Sequence, residues 1–352
     1  MKGTDGKETL KRALELGAKP SSQKRAREAL QCLKPFSKWI EIITCEGVMG
    51  EFEVKAESFT PIIVGSTIGK VTTANDTKAA ASEMCDLGVD LILFVGGDGT
   101  ARDIYQVVNT KVPVLGVPSG VKMHSSVFAL NPRRAIETVV KFLRAEIGLT
   151  NAEIIDVDEE EYREGKLKTR LYGYISVPSD HVYVQTVKTA SPITIDEKED
   201  QAAIAKYVVE EMDNDVLYII GPGTTPKAIN EELGLSSTLL GVDLIVNKKL
   251  LAKDVSENTI LHELKKREGK IIVTPIGGQG FIFGRGNQQI SHEVIKRIGI
   301  QNIIIISTPG KLTNLEHNYF FVDTGNQILD NEFRRYVRVI IGYRLEAVMK
   351  IF

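Results

Sequence analysis

Residues 91–105 read LILFVGGDGTARDIY. Five apolar residues stop abruptly at Gly96-Gly97-Asp98-Gly99-Thr100, and apolar positions then recur at helical spacing. A short run that is apolar throughout predicts a strand covered on both faces, so helices must pack on either side of the sheet that contains it. The same alternation recurs along the first half of the chain. Strands are predicted at 39–45, 61–65, 91–95 and 112–117, and helices at 6–16, 23–33, 73–87, 100–108 and 132–144, the last with a proline at its start. The fold class is therefore α/β, with a doubly wound, mostly parallel N-terminal sheet.

The pattern changes near Gly148. Residues 151–188 hold long extended runs separated by turn signals, read as an antiparallel part of a second domain. The acidic DVDEEEYREGK stretch is a surface hairpin turn. Strands follow at 216–220, 239–246, 270–275, 303–306 and 335–342, with helices at 196–212, 226–233 and 256–267. The domain assignment is 1–148 for an α/β domain and 149–352 for a β-rich α+β domain, whose last segment is a candidate for returning to the first.

The chain has 352 residues, 43% hydrophobic and 26% charged, with a formal net charge of −2. That balance carries no basic footprint for nucleic acid. The local clusters Lys24, Arg25 and Arg27, and Lys265, Lys266 and Arg267, sit among acids on helical patterns and read as solvated faces. No apolar run reaches the ~20 residues that span a bilayer, and the first residues lack a signal-peptide core. Three widely spaced cysteines, Cys32, Cys45 and Cys85, fit neither a disulfide framework nor a zinc site. A reducing cytoplasm is the expected location.

An acid among glycines needs a reason. Glycines at a strand-to-helix turn let the backbone approach a ligand closely, and the helix start adds partial positive charge, so the turn suits a phosphate chain. A carboxylate there opposes anion binding on charge alone. It makes sense if Asp98 accepts a proton from an attacking hydroxyl or holds a magnesium ion on phosphate, both of which occur in phosphoryl-transfer sites. The simpler reading is a capping acid on a tight turn.

Other segments offer site residues. After the 112–117 strand come Ser119, Gly120, Lys122 and His124, whose loop belongs on the same carboxyl edge as Asp98. A second glycine turn, Gly221-Pro222-Gly223-Thr224-Thr225, also joins a strand to a helix. The stretch 274–288 is rich in glycine and amides. Its Gly278 and Gln279 suit a nucleobase edge or a neighbouring subunit, and Arg285 a phosphate or ribose. Asp243 and Asp323 stand near strand ends as further acids, without a specific signal. No set of metal ligands is evident.

LILFVGGDGTARD resembles the signature of the NAD kinase and diacylglycerol kinase superfamily. VPVLGVPSGVKMHSSVFALNP resembles one branch of it, the ATP- or polyphosphate-dependent NAD kinases to which the acetoin-catabolism accessory proteins are related. VLYIIGPGTTPKAINEELG, TLLGVDLI and IIVTPIGGQGFIFGRGNQQIS look like the same branch. The resemblance implies a two-domain, homo-oligomeric enzyme with its active site between the domains. It would move a phosphoryl group from ATP or polyphosphate to the 2′-hydroxyl of NAD, giving NADP, with Mg2+ on the donor. Asp98 would take the hydroxyl proton, and Gly96, Gly97, Gly99 and Thr100 would hold phosphates. The Gly221–Thr225 turn sits where ordinary NAD kinases carry a Thr-Pro-Thr-Gly-Ser-Thr loop on the dinucleotide, though its residues differ. Small-molecule nucleotides are the expected partners, without nucleic acid or membrane.

The branch usually opens with a strand and an Asn-Pro, glycine-rich turn ahead of a Lys-Gly-Thr-Asp-Gly stretch, and this chain starts at that stretch, Met1-Lys2-Gly3-Thr4-Asp5-Gly6. Either Met1 is not the natural start or the element is lost. Two rival functions stay open: a kinase of another small-molecule or lipid hydroxyl, and a non-catalytic nucleotide-binding accessory protein.

Overall fold

The computed structural model describes residues 14–15, 20–65, 72–120, 123–157, 169–179, 195–276, 280–315 and 317–352. Most of the helix predicted over 6–16 lies outside these residues. The described residues up to 179 form one compact unit, and those from 195 onward form a second. No helix among them is long and apolar enough to cross a membrane.

The first unit runs α1 (Ser22–Leu33), β1 (Ile43–Cys45), α2 (Glu51–Ala56), β2 (Ile62–Val64), α3 (Ala74–Asp86), β3 (Ile92–Gly96), α4 (Asp98–Val108), β4 (Val114–Pro118), α5 (Pro132–Leu143), β5 (Leu149–Val157) and β6 (Thr169–Pro178). Local chemistry sets several ends. Thr73 and Asp76 close a capping box at the start of α3. At α5, the Asn131 side chain accepts from the Arg134 amide at 2.9 Å, and Pro132 fills the first turn. The helix predicted from Thr100 begins two residues earlier, at Asp98, with Gly97 as its cap.

β1 and β2 pair in parallel, as do β3 and β4, with Gly96 opposite Pro118. Side chains alternate across β3. Ile92 and Phe94 enter a core with Ala101, Ile104 and Val108 of α4. Leu91, Leu93 and Val95 pack toward Ala29 and Leu33 of α1 and Ile136 and Val139 of α5. One face is buried and the other partly buried, which is why the run 91–95 is apolar throughout. At roughly 1.5–3 kcal/mol for each large aliphatic side chain fully buried, this two-sided packing outweighs any local strand propensity.

The antiparallel hairpin β5–β6 was expected in the second domain, after a boundary at 148. It lies in the first unit instead. Its Ala152, Ile154, Ile175 and Val177 complete the core around Ile104 and Phe128, so the hairpin covers the apolar face of α4. The tip predicted as an acidic turn falls mostly on residues 158–168, outside the described residues.

The second unit runs α6 (Ile195–Glu210), β7 (Leu217–Ile220), α7 (Thr224–Glu232), β8 (Asp243–Val246), β9 (Lys249–Ala252), α8 (Glu257–Glu263), β10 (Gly269–Val273), β11 (Phe281–Phe283), α9 (His292–Ile298), β12 (Ile303–Ile306), α10 (Pro309–Thr313), β13 (Tyr319–Val322), α11 (Gln327–Glu332), β14 (Tyr336–Gly342) and β15 (Leu345–Ile351). One nine-stranded mixed sheet takes the order β11-β13-β15-β14-β12-β10-β7-β8-β9. The last segment, β15, is an internal strand of this sheet, parallel to β13 and antiparallel to β14. In the parallel centre, Leu217, Ile219, Ile271 and Ile305 face a core with α8, α9 and α11. Tyr218, Ile220, Ile272 and Ile306 face the opposite core with α6 and α7.

Candidate functional site

The glycine turn between β3 and α4 is shaped by contact as well as by flexibility. A Cβ on Gly96 would lie 2.5 Å from Thr100 Oγ1, so only glycine lets the helix start close over the strand end. Gly97, Gly99 and Thr100 are partly exposed around this start, whereas Asp98 is 7% exposed. Gly97 adopts an extended backbone and supplies no side-chain cap.

Asp98 is the first residue of α4, one position inside its cap. Its carboxylate reaches the loop after β4, where Oδ2 accepts from the His124 amide at 2.7 Å and Oδ1 from the Ser125 amide at 2.9 Å. Charge-assisted bonds of this length are among the stronger ones in proteins, and one on each oxygen fixes the carboxylate plane. Ser125 passes the constraint on. Its Oγ donates to the Ile155 carbonyl at 2.8 Å and accepts from the Ile155 amide at 3.0 Å. The Ser126 amide donates to the Glu153 carbonyl at 2.9 Å. The loop 123–130 is thereby buried between β4 and β5. His124 is buried with it, at 7% exposure. At the strand ends, the Ser119 amide donates to the Gly96 carbonyl at 3.1 Å, which brings Ser119 and Gly120 beside the glycine turn as expected. Lys122 lies outside the described residues.

In the second unit, β7, β10 and β12 run parallel, so their carboxyl ends share one edge. Gly221 and Gly223 follow β7, and α7 starts at Thr224. Gly223 has φ of +126°, a conformation side chains rarely adopt, and a Cβ there would sit 2.9 Å from the Thr274 methyl at the end of β10. Thr225 is fully buried, and its Oγ1 has no hydrogen-bond partner among the described residues. The Thr224 hydroxyl accepts from Gln201 of α6 at 3.2 Å. At the end of β12, Thr308 caps α10 and donates to Glu197 at 3.4 Å, and Lys311 Nζ donates to Thr274 Oγ1 at 3.3 Å. Desolvation pushes the Lys311 pKa down to about 8, partly offset by Glu197, whose charge favours the ammonium.

The remaining sequence candidates go elsewhere. Arg285 is 2% exposed, with its guanidinium 4.7 Å from the centre of the Phe281 ring. Asn287 fastens that turn, accepting from the Gly284 amide at 3.1 Å and donating to the Ile282 carbonyl at 2.8 Å. Asp243 is buried and accepts from the Thr238 amide and hydroxyl and from the Asp254 amide, each within 3.0 Å, which makes it a loop clamp. Asp323 is buried at the end of β13. Gly278 and Gln279 lie outside the described residues.

Sequence reasoning did not single out Ser125, Thr308 or Lys311. A helix-start signal was present at Thr308-Pro309. Nothing local shows that parallel pairing sets Lys311 against Thr274.

Among the described residues, no group of three or more His, Cys, Asp or Glu side chains is placed to hold a metal ion.

No curated protein and no solved structure matches the chain. Two family models do. The ATP-NAD kinase N-terminal domain matches residues 10–147, spanning the Asp98 turn and its partner loop. The ATP-NAD kinase C-terminal domain matches residues 213–351, spanning the large sheet. With both halves matched in order over most of its length, the chain belongs to the ATP-NAD kinase family.

Proposed function

We propose that this protein transfers a phosphoryl group from ATP or polyphosphate to the 2′-hydroxyl of NAD, yielding NADP. The supporting observation is the buried Asp98 carboxylate, held in one plane by the His124 and Ser125 amides at the mouth of a glycine-built helix start. Such a carboxylate is oriented before any ligand arrives, so no reorganisation is needed when it meets a hydroxyl. In the reaction, the hydroxyl oxygen forms a bond to the terminal phosphorus of the donor as the bridging P–O bond breaks. The hydroxyl proton passes to Asp98, and ADP or the shortened polyphosphate leaves. A ribose hydroxyl is a weak acid, so this transfer helps only once the O–P bond is forming. The amides of Gly97, Gly99 and Thr100 at the start of α4 receive donor or dinucleotide phosphate. Magnesium enters with the donor's phosphates, whose charge it neutralises.

The test is NADP formation by the full chain from NAD with ATP or polyphosphate, each with magnesium. Production with either donor supports the reading. Transfer to a different alcohol, or NAD binding without NADP, would replace it with one of the two rival functions.

A further inference from the structure

Lys265, Lys266 and Arg267 read from the sequence as one solvated helix face. The fold places them around a cavity instead. The loop after α8 and the end of α9 border a space of about 430 Å³, lined by Lys265, Lys266, Arg267, Glu268, Arg297 and Asn302. β10 begins at Gly269, beside this cavity, and ends at Val273, next to Thr274. At about 3.3 Å rise per residue, the strand sets roughly 13 Å between the cavity and the carboxyl edge that carries Gly221 and Gly223. The cavity therefore belongs to the opposite edge of the sheet from the glycine turn.

Four cations meet there against one acid. Glu263, the last residue of α8, takes up part of the excess. Its carboxylate accepts from Lys266 Nζ at 2.7 Å and lies 3.7 Å from the Arg267 guanidinium. Lys265 and Arg297 have no carboxylate partner among the described residues. Four cations less the two carboxylates Glu263 and Glu268 leave a net charge of +2. Arg267 adds a second sign of incomplete compensation: its Nε is buried without a hydrogen-bond partner among the described residues, which is costly for a charged group. Cations near the carboxyl ends of helices are favoured by the helix dipole, but two such ends supply only about −0.5 charge each, which leaves the cavity positive.

We infer that this cavity binds a small multivalent oxyanion, with Lys265, Arg267 and Arg297 as its cations. Guanidinium forks match the paired oxygens of phosphate and carboxylate, and lysine adds a point charge. The volume falls within the range of small-ligand sites, roughly 300–1,000 Å³, whereas a macromolecular partner needs a broad face. The occupant is a compact polyphosphate or polycarboxylate. The site stands on the second unit alone and does not depend on the phosphoryl-transfer reading.

The experiment titrates the full chain with tripolyphosphate and with citrate by calorimetry in magnesium-free buffer. It uses wild type, the double variant Lys265→Gln with Arg297→Gln, and Glu268→Gln, with folding checked by circular dichroism. At least one of the two anions is expected to bind wild type with a component that weakens roughly tenfold or more in the double variant, the size of one lost charge-assisted hydrogen bond. Glu268→Gln is expected to tighten that component, because it removes the opposing charge. Hydrogen exchange is expected to slow at residues 264–269 and 297–302 when the anion binds. Binding of tripolyphosphate alone identifies a phosphate chain, of citrate alone a polycarboxylate, and of both a site that reads charge. Equal binding by wild type and the folded double variant, protection confined to other segments, or no binding of either anion overturns the site.

Discussion

Asp98 and His124 are 26 residues apart, yet the His124 amide donates to Asp98 Oδ2 at 2.7 Å. The glycine turn and the loop after β4 are therefore one assembly, and the acid that orients the loop is the same acid proposed to accept the hydroxyl proton.

Replacing Asp98 with Asn tests both roles at once. The amide group puts an N–H donor where one backbone amide now donates. The loop 123–125 is expected to lose about 1–3 kcal/mol of local stability, read as faster hydrogen exchange at His124 and Ser125. NADP formation is expected to fall roughly 10²–10⁴-fold, the range for losing a general base, while NAD binding by calorimetry stays within a few fold. Unimpaired turnover would remove Asp98 from the chemistry.

Ser125→Ala separates position from chemistry. Ser125 is fully buried, and its Oγ serves both the Ile155 carbonyl and the Ile155 amide. Alanine leaves two buried backbone groups unsatisfied, at about 1–3 kcal/mol each before relaxation. A lower melting temperature with a reduced turnover is expected, and Ser125→Thr is expected to recover part of both. A variant as stable as wild type would mean that the loop is held by other contacts.

Gly223→Ala addresses the second glycine turn. A side chain at φ of +126° is strained, and its Cβ would press on Thr274. The cost is on the order of 1–3 kcal/mol, visible in a calorimetric melt. Phosphate-compound binding is expected to weaken along with it, because the α7 start has to move. An unchanged melt would show that the turn relaxes freely.

Lys311 gives a pH-dependent sign. Its folded pKa, about 8, lies below the ordinary 10.5, so the folded state gives up the proton first. The ionised lysine destabilises the fold fully below about 8, and the penalty fades as pH rises toward 10.5. Without ligand, Lys311→Met is expected to melt higher than wild type at pH 7, with the gap narrowing through that window. A gap that is constant with pH would mean that the ammonium is well solvated.

Much of this molecule was readable as local pattern. The α3 capping box, the Asn131-Pro132 start of α5 and the apolar run of β3 each follow from residues within a few positions of one another. So does the glycine turn that exposes a helix start. Elements missed in the second unit, such as β9, β11, β13 and β15, are short or carry exposed polar residues, so their strand character comes from pairing in the sheet.

What no local pattern conveys is which distant groups meet. The sequence marked Asp98 as an acid at a phosphate-type turn, but its partners are amides brought in by a loop anchored through Ser125 to β5. The hairpin joins the first unit because the apolar face of α4 needs cover, a demand set by packing. Lys311 acquires its altered proton affinity from desolvation beside Thr274, and parallel alignment of β10 with β12 puts it there. Capping and periodicity act over a few bonds, whereas burial and electrostatics depend on everything within several ångströms of a group, and only the folded chain defines that neighbourhood.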